Sequence, residues 1–204
     1  MKTKCIIPCA GFGTRMGMAQ NESKEMLLDT TGKPVIQYSL DLCKLYDLEP
    51  LIITRKDKGD LIEYISDKAT VHIIHPFGEW PNTILCSQGL WSENNIMLLP
   101  DTRFTPDSVI ADMKYQLHMG CQSVIAIHDV EEPNKWCVVE DYHLVEKSQT
   151  TKSTKAMGII GFKKSEGHNL FKTLNKRGEY YRLLNTGFVK LETFKDITRT
   201  GKIE

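Results

Sequence analysis

Residues 6–27 read IIPCAGFGTRMGMAQNESKEML. An apolar run ends in two glycines around Phe12, and the next cations are Arg15 and then Lys24. Three kinds of glycine loop begin in nearly this way, and spacing separates them. A dinucleotide-binding turn needs a third glycine where Met16 stands, because that position packs the helix closely on the strand. A P-loop needs a lysine directly after its last glycine, whereas Gly17 is followed by Met18 and Ala19. The third form is G-x-G-T-R, in which backbone N–H groups can face a triphosphate, while a structural strand-to-helix turn with surface cations would account for Gly11 and Gly13 alone. Arg15 then clamps phosphate oxygens with its planar fork, and Lys24 supplies a point charge.

The pattern around this stretch is that of alternating strands and helices. Short apolar runs at 5–9, 50–54, 71–74, 96–99 and 123–127 read as strands. Segments at 34–47, 57–67, 82–92 and 106–119 carry helical periodicity, with Tyr38, Leu42 and Leu45 on one face and Val109, Met113 and Leu117 on another. Continuous apolar strands are buried on both sides, which a parallel sheet covered by helices requires. The expected fold is therefore a Rossmann-like, doubly wound α/β domain with a mixed sheet, a three-layer α/β/α arrangement. Beyond residue 128, WCVVE and HLVEK read as a hairpin around Asp141-Tyr142 and AMGIIGF as a strand. A helix at 166–175, a strand at NTGFVKL and a helical stub from Glu192 complete the reading. We expect one domain over 1–204, with a nucleotide-binding half at 1–128 and an acceptor-binding half at 129–204.

The chain has 204 residues, with 26 Lys+Arg against 26 Asp+Glu, so its formal net charge is zero. A nucleic-acid or membrane-surface binder would more often be basic, and neither partner is expected. Six scattered cysteines without a C-x-x-C pair read as buried thiols in a reducing compartment. No apolar run approaches the roughly 20 residues of a membrane span, and a cytoplasmic location is the expectation. A homo-oligomer is compatible with these properties.

AGFGTRM, SKEMLL with Lys24, and GKPVIQY with Lys33-Pro34 occur in this order. Together they resemble the N-terminal signature of the sugar-phosphate nucleotidyltransferases, the enzymes that make nucleoside-diphosphate sugars. The resemblance implies transfer of NMP from an NTP to a sugar 1-phosphate with release of pyrophosphate. It implies that Arg15 and Lys24 are catalytic and that Ala10, Gly11, Gly13 and Thr14 bind the nucleotide. His75 and Thr83, in the divergent stretch HPFGEWPNTILCSQG, are candidate nucleotide contacts. LLPD at 98–101 sits where the family has a metal-binding aspartate. Asp101 also follows an apolar strand at the carboxyl edge of a parallel sheet, where such folds place ligands.

HLVEKS resembles the element that holds the sugar phosphate, which implies acceptor roles for Glu146 and Lys147, with Ser148 where the family has proline. Gly158 in AMGIIGF falls where a glycine lets backbone approach the sugar. LLNTGF resembles the region of the second metal-binding acid, which gives Asn185 as the partner of Asp101 around Mg²⁺. A neutral amide there would leave one carboxylate, nucleotide phosphates and water to hold the ion. The alternatives are a cytidylyltransferase acting on a phosphorylated alcohol such as phosphocholine or a methylerythritol phosphate, or a catalytically weak nucleotide-binding regulatory protein. Against the methylerythritol enzymes, their Asp-Ala-Ala-Arg-like segment has no counterpart near LLPDTRF.

Overall fold

The structure is a computed structural model and describes residues 2–19, 21–75, 80–198 and 203. Its first half alternates strand and helix: β1 (Thr3–Pro8), α1 (Gln37–Leu45), β2 (Leu48–Arg55), α2 (Gly59–Ile65), β3 (Thr70–Ile74), α3 (Trp80–Leu85) and β4 (Asn94–Met97). β5 (Thr102–Thr105), α4 (Val109–His118), β6 (Ser123–Asp129), β7 (Cys137–Glu140), β8 (His143–Glu146) and β9 (Lys155–Lys163) follow. The chain closes with α5 (Lys164–Leu174), β10 (Tyr180–Arg182), β11 (Thr186–Lys190) and β12 (Thr193–Asp196).

β3, β2, β1 and β4 are parallel neighbours in that order, and β9 adds to β4 antiparallel. β9 is paired on both edges: Phe162 faces Asn95 of β4 on one side and Ser123 of β6 on the other. β11 extends β6 in parallel, and the branch β7-β8-β10 joins at Ala156, near the start of β9. A separate two-stranded ribbon pairs β5 with β12.

Alternation along the strands divides the core into two layers. In β1, Cys5 and Ile7 face the cluster that α1, α2 and α4 cover, while Ile6 faces the one that includes Ile84 of α3 and Leu170 and Phe171 of α5. Since side chains of a strand point alternately to opposite faces, an all-apolar strand is stable only between two helical layers. The result is the three-layer, Rossmann-like α/β/α fold with a mixed sheet. Truncating a fully buried side chain such as Ile6 to alanine costs about 2–5 kcal/mol in a core of this kind.

The hairpin between β7 and β8 turns at Asp141 (φ 47°) and Tyr142 (φ 60°). Two left-handed residues make the tight turn whose twist matches the flanking strands. The expected helix at 82–92 is shorter: α3 ends at Leu85, and a 3₁₀ turn follows at Gln88–Leu90. Ser87 breaks it, donating its hydroxyl to Ile84 O (2.8 Å) and accepting Trp91 Nε1–H (3.0 Å). The stub expected from Glu192 is the strand β12, whose Phe194 packs against the core while Thr193 and Lys195 are exposed. Among the described residues, no helix is long and apolar enough to cross a membrane.

Candidate active site

At the carboxyl edge of β1 and β4 lies a cleft of about 860 Å³. One wall begins where β1 ends, with Cys9 N–H still donating to Ile53 O (2.7 Å). Gly13 (φ 65°) and Gly17 (φ 66°) bracket a 3₁₀ turn at Thr14–Met16, a backbone that residues with a Cβ rarely adopt. Gly11 lines the cleft, and a Cβ there would meet nothing within 4 Å. The backbone is thus open toward the cavity.

Lys24 opens the next 3₁₀ turn, Lys24–Met26, and reaches across the cleft to form an ion pair with Asp101 Oδ2. Burial would lower the pKa of this ammonium, but Asp101, Glu25 and Asp196 outweigh it and hold Lys24 above its ordinary value. Burial pushes the Asp101 carboxyl up, and Lys24 together with the Thr198 hydroxyl more than offsets this, so that Asp101 lies below the usual carboxylate range. Glu25 is fully buried beside Lys24. Its Oε2 accepts from Lys58 Nζ (2.7 Å), and its Oε1 has no hydrogen-bond partner among the described residues.

Asp196 is the acid that sequence reasoning missed. The pairing of β12 with β5 sets Asp196 opposite Thr102, one residue after Asp101. Thr198 Oγ1 lies 2.7 Å from Asp101 Oδ2 and 3.0 Å from Asp196 Oδ1, so one hydroxyl proton is shared between two carboxylates. The signal is present in FKDIT: an aspartate closing a strand, as in LLPD, hidden because the residues from Glu192 onward read equally well as a helix. Among the described residues, no group of three or more His, Cys, Asp or Glu could hold a metal ion alone. Two carboxylates on one edge of the cleft nevertheless suit Mg²⁺, which takes one or two carboxylates and completes its octahedron with phosphate and water.

The opposite wall comes from β7, β8 and the loops around them. Glu146 is buried, with Oε1 3.0 Å from Lys147 Nζ and Oε2 without a partner among the described residues. Lys147 takes φ 45°, its N–H donating to Trp136 O (3.0 Å). Asn134, Trp136, Gln149 and Arg177 also line this side and were not anticipated. Beneath them Cys137 is inert: burial, reinforced by Glu146, pushes its thiol well above the ordinary value.

The cleft brings together Ala10, Gly11, Lys24, Thr83, Asp101, Glu146, Lys147 and Gly158. Gly13 and Thr14 shape the adjoining turn without lining the cavity. The Arg15 side chain and residues 76–79 of the HPFGEWPNTILCSQG stretch lie outside the described residues. His75 is exposed beyond β3 and is not among the lining residues.

Asn185 stands apart. It precedes β11, whose Thr186 pairs with Ser123 at the start of β6, so it sits at the opposite edge of the sheet from Asp101. There it takes φ 46°, donates Nδ2–H to Gly120 O (2.9 Å) and accepts Gln122 N–H (2.9 Å), which is a turn residue's work. Asn185 is therefore not the partner of Asp101. Gly158 lines the cleft, but a Cβ on it would come within 2.8 Å of Leu191 and Phe194. The packing of Leu191 and Phe194 by itself demands glycine at this position.

No family model matches the chain. Over 126 residues it is 28% identical to a 2-C-methyl-D-erythritol 4-phosphate cytidylyltransferase from Synechococcus sp. (strain JA-3-3Ab), a match covering 61% of this chain and 43% of that protein. Less than half the length of that relative is thus spanned. Among solved structures, one assigned as a glucose-1-phosphate thymidylyltransferase from Bacillus anthracis superimposes with a TM-score of 0.77 at 18% identity, over 98% of this chain and 90% of the other. A UDP-glucose pyrophosphorylase in complex with UDP-glucose gives 0.65 at 22% identity, over 86% and 80%. The UTP-bound enzyme from Acinetobacter baumannii gives 0.71 at 16%, over 99% and 90%. The chain shares the fold of these nucleotidyltransferases.

Proposed function

We propose that the protein is a sugar-1-phosphate nucleotidyltransferase, joining NMP from an NTP to a sugar 1-phosphate with release of pyrophosphate. The observation that carries this reading is the arrangement of one cleft. An open glycine turn and Lys24 form one wall, Glu146, Lys147 and Arg177 the other, and Asp101 and Asp196 stand between them. Proteins of this fold that act on glucose 1-phosphate and on UDP-glucose support it.

The chemistry asks little of a general base, because the attacking phosphate oxygen is already anionic. Catalysis rests on alignment and on neutralising charge as it moves onto the departing pyrophosphate. Lys24 meets the α-phosphate and must exchange Asp101 for it, an exchange of one anionic partner for another. Backbone N–H groups of the glycine turn and Arg15 hold the β- and γ-phosphates. Lys147 and Arg177 orient the acceptor phosphate, and Oε2 of Glu146 accepts from sugar hydroxyls. Asp101 and Asp196 would hold Mg²⁺, which when bound would supply charge neutralisation at the nucleotide phosphates.

A matrix of the four common NTPs against sugar 1-phosphates, read by pyrophosphate release with Mg²⁺, tests the reading. Release with at least one sugar 1-phosphate is expected, and none with any of them overturns it. The cytidylyltransferase match favours one second reading, in which CTP and a phosphorylated alcohol are the only productive pair in the same matrix.

A further inference from the structure

The β2–α2 connection, RKDKGD at 55–60, runs from the last residue of β2 into the first turn of α2 and lines no part of the cleft, yet three of its charges reach the two elements that do. The Arg55 guanidinium lies over the ring of Phe12 in the glycine turn, 4.1 Å from its centroid. Lys58 Nζ, with a side chain wholly removed from solvent, donates to Cys9 O (2.8 Å) at the end of β1 and to Glu25 Oε2 (2.7 Å). Asp60 Oδ1 accepts from Ser23 Oγ (2.5 Å). Ser23 and Glu25 are the neighbours of Lys24 on either side, so both flanks of that lysine are tied to one connection.

A buried ion pair is a poor way to gain stability, since both ions lose their water and an apolar pair of similar volume often serves as well or better. Its directional bonds do something an apolar contact cannot. They fix the distance between the end of β1 and the turn that carries Lys24. Lys24 itself retains 17% side-chain exposure and pairs only with Asp101 among the described acids, a contact it must give up when a phosphate arrives. What keeps its stem aimed at that moment is the connection behind it.

We propose that Lys58, with Asp60, is a positioning residue that holds Lys24 and the glycine turn in register for phosphoryl transfer. The inference rests on the reading of Lys24 as the group that meets the α-phosphate. The cleft residue does the chemistry, and the connection behind it, through the buried Lys58, sets where it stands. Misplacement of a reacting group by about 1 Å costs on the order of 100-fold in rate, so the effect belongs to turnover and not to substrate affinity.

The test is Lys58→Met, read in two ways. Without substrates, acylation of individual lysines by an amine-reactive anhydride is followed by peptide mass spectrometry. Lys24 is expected to react several-fold faster than in the parent protein, while exposed Lys33 and Lys135 are unchanged. With substrates, kcat is expected to fall about 100-fold while both KM values stay within about threefold. Unchanged Lys24 acylation overturns the proposal whatever happens to activity, and so does a kcat within twofold of the parent. If Lys58→Met does not fold, the Ser23→Ala, Asp60→Asn double variant, which cuts the other strut, decides by the same acylation readout. Because acylation needs no turnover, a parent protein inactive on every sugar 1-phosphate would sink the functional reading while leaving this one to be judged separately.

Discussion

Two stretches near the end of the chain, LLNTGF at 183–188 and FKDIT at 194–198, compete for the same role. LLNTGF has the form of a metal-site motif and stands at the wrong edge of the sheet. FKDIT matches no motif, yet it delivers Asp196 beside Asp101. What separates them is strand direction. β11 begins at the amino end of its ladder, so the residue before it, Asn185, is carried away from the cleft; β12 ends against β5, so its last residue is carried in. A motif borrows its meaning from the edge of the sheet on which its strand starts or stops.

The comparison can be broken by substitution, and the largest effect is expected at its fixed point. Lys24→Ala should lower pyrophosphate release by about 100- to 1,000-fold, the usual cost of removing one preorganised transition-state contact, while circular dichroism and thermal midpoint show a folded protein. Asp196→Asn should raise the Mg²⁺ concentration for half-maximal activity at least about tenfold, whereas Asn185→Ala should leave it unchanged. A metal titration of the two variants side by side decides between the stretches, and the reverse result would restore Asn185.

Gly158→Ala sharpens the comparison from the packing side. Its methyl would press on Leu191 and Phe194, which seat β12, so a stability loss of about 1–3 kcal/mol is expected by denaturant unfolding. Larger losses of activity than of stability would indicate that Asp196 moves with the strand. The smallest effect is expected at Asp29, behind the turn that carries Lys24. Its carboxyl is drawn down to about 2, chiefly by the Thr31 hydroxyl, with backbone N–H groups of Thr31 and Lys33 and the Arg103 guanidinium adding to it. A depressed acid stabilises the fold above its unfolded pKa, near 4, and that contribution fades as pH falls through about 2. Asp29→Asn should therefore be the less stable protein at neutral pH, with thermal midpoints of the two converging toward pH 2.

Much of this architecture was legible in the residues. The apolar runs at 5–9, 50–54 and 123–127 are strands because nothing but a sheet between two helical layers buries every side chain of such a run. LLPD was legible for a related reason: an acid directly after an apolar strand has few places to go but the sheet edge, whereas Lys24, after the polar QNES, was legible only through the resemblance of SKEMLL to a family motif. The wall opposite Lys24 was legible only in Glu146 and Lys147, since Trp136, Gln149 and Arg177 come from loops whose placement depends on the hairpin and on α5. Asp196 escaped because ETFKDI satisfies a helical reading as well as an alternating one, and its partner β5 is only TRFT. Lys58 escaped for the opposite reason. A lysine between Asp57 and Gly59 in a polar loop reads as solvated, and only the fold reveals that it is among the most deeply enclosed side chains of the protein.

β9 runs beneath both walls of the cleft. Its residues Ile160–Lys163 are zipped to β4 on the side of Lys24 and Asp101, and Ala156 is bridged to β7 on the side of Glu146 and Lys147. The two walls therefore share a single rail. Spreading them like jaws would tear ladder hydrogen bonds from the middle of the sheet, so any opening of the cleft falls to side chains and surface loops over a floor that stays still.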